Sequence, residues 1–107
     1  MLQSSEIQKR FSHLQQTISE AWRTCHSDKS VPQSLVQAVD KLDKECQSAK
    51  SIMSSQDESQ MRQCIDDLER IGDQAERACQ SGSVDGKIMR AVSTMHSELS
   101  DLKKQLH

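Results

Sequence analysis

Four times along this chain of 107 residues, apolar side chains recur at intervals of four, three, four, three and four. Ile7, Phe11, Leu14, Ile18, Ala21 and Cys25 form the first set, and Leu35, Val39, Leu42, Cys46, Ala49 and Met53 the second. Met61, Ile65, Leu68, Gly72, Ala75 and Cys79 form the third, and Ile88, Val92, Met95, Leu99, Leu102 and Leu106 the fourth. Such a spacing keeps side chains on one face of an α-helix, whereas a strand would need a period of two. Each set predicts a helix with a single apolar seam, which must be covered by another seam. Cys64, Ile71 and Ala78 widen the third stripe.

The intervening residues predict where the helices stop. Ser5 with Gln8, Ser30 with Gln33 and Ser55 with Glu58 each have the spacing of a capping box, in which two side chains satisfy orphan amides at a helix start. Pro32 suits a first turn, because the N–H it lacks would have no partner there. Asp85 is a candidate cap for the last helix, and Gly82 suits a left-handed position closing the third. These signals predict helices over about 5–25, 31–54, 56–80 and 85–106. Short connections make consecutive helices antiparallel neighbours. The expected fold is therefore one all-α domain over residues 1–107, an antiparallel up-down-up-down four-helix bundle. The competing arrangement is an extended helical hairpin that completes its core by dimerising.

Composition supports helices and removes several function classes. Phe11 and Trp22 are the only aromatics, Gly and Pro number three and one, and hydrophobic residues make up 34%. Strands and the turns between them draw on what is scarce here. The net charge is −2, with acids and bases intermixed, which argues against a nucleic-acid backbone as partner. Acid-first pairs four apart, Glu6/Arg10, Asp40/Lys44, Asp66/Arg70 and Asp73/Arg77, mark solvated outer faces. No apolar run reaches the ~20 residues of a membrane span, and the first ten residues lack the apolar core of a signal peptide. As given, the chain reads as cytoplasmic. It reads as periplasmic or secreted if Met1 stands where a leader was removed and the cysteines are oxidised.

The four cysteines are the most informative reactive residues. With the turn at Gln56 as floor, Cys46 and Cys64 lie at nearly the same height on neighbouring helices, ~3 Å apart. Cys25 and Cys79 both lie near the opposite end, on helices that are diagonal in a square bundle. Their inward Cα atoms would be roughly 9 Å apart, against the ~4.4–6.8 Å a disulfide needs. Cys46–Cys64 is thus the easier disulfide, and Cys25–Cys79 requires the bundle end to squeeze. The simpler alternative keeps all four as reduced, small core hydrophobes.

Cys25, His26, Cys79 and Met89 also gather at one end on this expectation, a donor set suited to Cu(I), or to Zn²⁺ without the thioether. No Cys-x-x-Cys or His-x₃-His supports it. Di-iron chemistry needs Glu-x-x-His pairs, but Arg10, Arg23, Ser93 and Lys104 stand three residues before His13, His26, His96 and His107. No phosphate loop, zincin helix or nucleophile elbow occurs. Trp22 stands beside its seam at the height of Gly72, so it is expected either to pack toward that glycine or to anchor a partner.

The function expected from all this is a non-catalytic interaction or structural module, without a cofactor, contacting another protein or a second copy of itself. Soft-metal binding and a redox response through disulfides are the alternatives.

Overall fold

The computed structural model describes residues 4–55, 57–82 and 84–106. Its elements are α1 (Ser4–His26), α2 (Gln33–Ser54), α3 (Glu58–Ser81) and α4 (Gly86–Leu106). Every one of the six seam positions predicted for each helix is buried. All of them except Ala21 and Gly72 belong to one apolar cluster, and no polar or charged residue is buried with it among the described residues.

The helices contact one another in a ring, α1–α2–α3–α4 and back to α1. Among the described residues no Cα of α1 comes within 8 Å of one in α3, nor any of α2 of one in α4. The side-chain contacts give the directions. Gln8, early in α1, donates through Nε2 to the Met53 carbonyl late in α2 (3.2 Å), while Trp22 and His26, late in α1, reach Asp40. Along α3 and α4, Glu76 meets His96 and Glu69 meets Lys103. His13 of α1 meets Glu98 of α4, and Thr24 shares a groove with Lys87. Each of these pairs runs in opposite directions, so α2 and α3 must as well. The radius of gyration, 13.5 Å, is close to the ~13 Å of a closed chain this long, which disfavours the extended hairpin.

The helix ends correct several expectations. Ser5 lies inside α1, and Gln8 crosses to α2 instead of reaching back to cap. The N-cap of α2 is Pro32, with no side-chain bond, because Ser30 turns its amide and hydroxyl to Asp28 Oδ1 (2.9 and 2.6 Å). α3 is capped by Asp57, whose side chain accepts from the Gln60 amide (3.2 Å), whereas Ser55 closes α2 by donating to the Ile52 carbonyl. At α3 an acceptor two residues from the expected one took over, since several short polar side chains compete at each turn. Gln56 lies outside the described residues. Asp85 does accept from the Lys87 amide (2.9 Å), as expected. Gly82 ends α3 in an extended conformation (φ −114°, ψ 168°), not a left-handed one. A Cβ there would lie 2.7 Å from Pro32 Cγ, so what glycine permits is close approach of two connections.

Candidate functional site

One end of the α1–α2 seam carries a three-residue cluster built around Asp40. Ala21 and Cys25 point into the core, which turns the adjacent Trp22 and His26 toward α2. Trp22 donates Nε1–H to Asp40 Oδ1 at 2.7 Å, and His26 Nε2 reaches the same oxygen at 2.7 Å. The two rings lie 4.3 Å apart between centroids, tilted by 36°. The slight burial of Asp40 pushes its carboxyl up, but the hydrogen bonds from His26 and Trp22, with the charges of His26 and Lys44, outweigh that and hold it below the usual range. Asp40 and His26 remain well exposed, at 41% and 36%.

Trp22 does not pack on Gly72. The nearest atoms to a Cβ built on Gly72 belong to α4: Leu99 Cδ1 at 3.0 Å, His96 Cδ2 at 3.4 Å and Met95 Sδ at 3.6 Å. The reason is the ring order. α1 and α3 are diagonal, so matching heights do not bring Trp22 and Gly72 together.

All four cysteines are free. Cys25 and Cys79 are both buried and face the same end of the core, but on helices with no Cα pair within 8 Å. That exceeds disulfide reach, so the bundle end does not squeeze as such a bond would require. Cys46 and Cys64 stand unbonded on neighbouring helices. Cys46 is buried on the α1 side of α2 and lines a groove there, while Cys64 is half-buried near Glu45. Burial raises every thiol. Cys25 is pushed up to about 11, aided by Cys79 and Asp40, Cys46 to about 11, aided by Asp43, and Cys79 to about 11, aided by Glu76. For Cys64 burial again leads, followed by Asp67 and Glu45.

The proposed soft-metal donors do not converge. Cys25 and Cys79 face inward, His26 turns outward to Asp40, and Met89 is 43% exposed on α4. Adjacent helical residues point ~100° apart, so Cys25 and His26 cannot both face one ion without distortion. Among the described residues no group of three or more His, Cys, Asp or Glu side chains is placed to hold a metal.

Two features lay outside the sequence-based expectations. The first is a cluster between α3 and α4, where His96 is enclosed by Glu69 and Glu76. His96 Nδ1 bonds Glu76 Oε2, and Nε2 lies 3.5 Å from Glu69 Oε1. Lys103 Nζ is 3.7 Å from Glu69 Oε2. The signal for it was Glu69 and Glu76 seven residues apart on α3, bracketing the mid-helix Gly72. The second is a set of grooves along α1. One, of 470 Å³, runs between Thr17, Glu20 and Thr24 and the first turns of α4, including Lys87 and Arg90. Another, of 360 Å³, lies between Lys9, Arg10 and His13 and the acids Glu98 and Asp101. A third, of 870 Å³, lies between α1 and α2, with Gln15, Ser19 and Arg23 facing Asp43 and Lys50. The hydroxyls of Thr17 and Thr24 donate to their own helix, to the carbonyls of Leu14 and Glu20. Charges of both signs line all three grooves beside uncharged polar side chains, and Leu14 and Leu102 add apolar surface to the second.

No protein-family model, curated protein or solved structure matches this chain. No described helix is long and apolar enough to cross a membrane.

Proposed function

We propose that this chain is a non-catalytic interaction module that receives a partner protein along α1, with Trp22 as an anchor at one end of that helix. The observation that carries this reading is the run of grooves bordering α1 on both its α2 and α4 sides. A helix laid into a groove is a common way for one protein to read another. The groove walls alternate in sign, with Lys9 and Arg10 opposite Asp101, and Glu20 opposite Lys87 and Arg90. A matching partner carries charges of both signs. Trp22 supports the reading because its indole is held by Asp40 and half-buried, so little side-chain freedom is lost on binding. The state of the reactive groups argues in the same direction. Three thiols titrate near 11, far above the range of an activated nucleophile, and each described histidine is engaged by a carboxylate.

Affinity capture from the native source tests this with four proteins: wild type, Trp22→Ala, Arg23→Glu in the α1–α2 groove, and Arg70→Glu on the exposed face of α3. Circular dichroism checks that each is folded. A partner retained by wild type and Arg70→Glu, but lost with Trp22→Ala and Arg23→Glu, supports the reading. Retention that ignores both α1 substitutions overturns it.

A further inference from the structure

His96 is mostly enclosed, with 17% of its side chain exposed, and both its nitrogens face carboxylates across the α3–α4 seam. Nδ1 is bonded to Glu76. Nε2 is shielded from solvent, makes no hydrogen bond, and looks toward Glu69 Oε1 at 3.5 Å. A neutral imidazole has one N–H and one lone pair, whereas an ionised carboxylate only accepts. Neutral His96 therefore satisfies Glu76 and leaves a buried lone pair aimed at Glu69, or the reverse. Only the imidazolium donates to both.

The surroundings fix the ring in this position. Gly72, one turn from each glutamate, has no side chain, and the His96 Cδ2 atom occupies space 3.4 Å from where its Cβ would be. Glu69 is positioned by Lys103 from the next turns of α4 (3.7 Å) and more loosely by Ser100 Oγ (3.5 Å). The nearby charges Asp73 and Arg77 are paired with each other at 3.1 Å. Among the described residues neither α1 nor α2 brings an ion pair to this imidazole.

We infer that His96 is a proton-sensitive clasp between α3 and α4: protonated, it bridges Glu69 and Glu76, and on losing its proton it releases one of them. Imidazole changes charge between about pH 5 and 8, so the clasp tightens on mild acidification and slackens above neutrality.

The test compares thermal midpoints of wild type, His96→Gln and Glu69→Gln at pH 5.5 and 8.5, together with ¹⁵N NMR of the His96 ring in the wild-type protein. His13, His26 and His107 are present in all three chains, so any contribution from them cancels in the differences. The wild-type advantage over His96→Gln is expected to shrink by roughly 4 °C on going to pH 8.5, and Glu69→Gln is expected to lose most of this pH response. The ring is expected to carry protons on both nitrogens at pH 5.5 and on one at pH 8.5. A ring that stays neutral across that range overturns the clasp even if neither variant folds. An unchanged wild-type advantage, or a pH response that survives Glu69→Gln, also overturns it.

Discussion

α1 and α3 occupy diagonal corners of the same bundle, yet they are seated differently. α1 buries a single line of side chains, from Ile7 to Cys25, and its flanks carry Gln15, Thr17, Glu20 and Arg23. α3 buries the equivalent line and adds Ile71 and Ala78 on its α2 side, with Cys64 half-covered on the same stripe. On its α4 side it is closed by the His96, Glu69 and Glu76 cluster. A wider apolar stripe fills the space between helices, and a narrow one leaves polar side chains that splay toward water. A regular seam secures a helix in the bundle, while the flanking positions decide whether its sides are sealed or open to solvent.

Substitution at flanking positions tests this contrast most directly. Ile71→Ala removes buried flank volume and is expected to destabilise by about 2–4 kcal/mol, whereas Thr17→Ala on α1 is expected to stay within about 0.5 kcal/mol. Chemical denaturation of both variants measures this, and equal losses would erase the distinction. Native-state hydrogen exchange is the next most sensitive probe. Mid-helix amides of α1 are expected to exchange roughly tenfold faster than those of α3, a difference of about 1.4 kcal/mol. Slower exchange in α1 would reverse the contrast.

Gly72→Ala probes the sealed side. Alanine improves helix propensity by ~1 kcal/mol, but the added Cβ would sit 3.0 Å from Leu99 Cδ1, a side chain with no exposed surface. Overpacking of ~1–3 kcal/mol is expected to prevail, giving a net loss of about 1 kcal/mol in denaturation. A stabilised variant would mean that the α3–α4 seam can yield.

Asp40→Asn probes the open side, with the smallest effect. The Asp40 carboxyl is depressed in the folded chain, so its contribution is present above the unfolded-state value and is lost as pH falls through the folded one. The group is well exposed, so that contribution is expected to be under about 1 kcal/mol. In wild type, acid below about pH 4 is expected to shift the emission of Trp22, the sole tryptophan, and the Asp40→Asn variant is expected to lack that step. An identical acid transition in both would detach Trp22 from Asp40.

The seam residues were readable because helical period and burial are tied by local geometry: from Ile7 to Leu106, each position chosen by spacing alone lies in the core. Helix ends were readable only in kind. Neighbouring Ser and Asp residues offer competing acceptors, and Asp57 rather than Ser55 received the α3 amide. The candidate sites were read least well. Heights along a bundle can be counted from sequence, but which corner each helix occupies cannot. That is why Trp22 was matched with Gly72 at equal height and instead bonded Asp40 on the adjacent helix.

Four helices, the residues they bury and the need to bring four seams to one axis follow from the order of residues, because backbone geometry and the removal of apolar surface from water act along the chain. Helix packing selected which polar side chains meet. It set Cys25 and Cys79 beyond bonding reach, drew His26 away from both, and enclosed His96 between two glutamates. Those outcomes depend on the rotation and neighbourhood of whole helices, which no local spacing encodes.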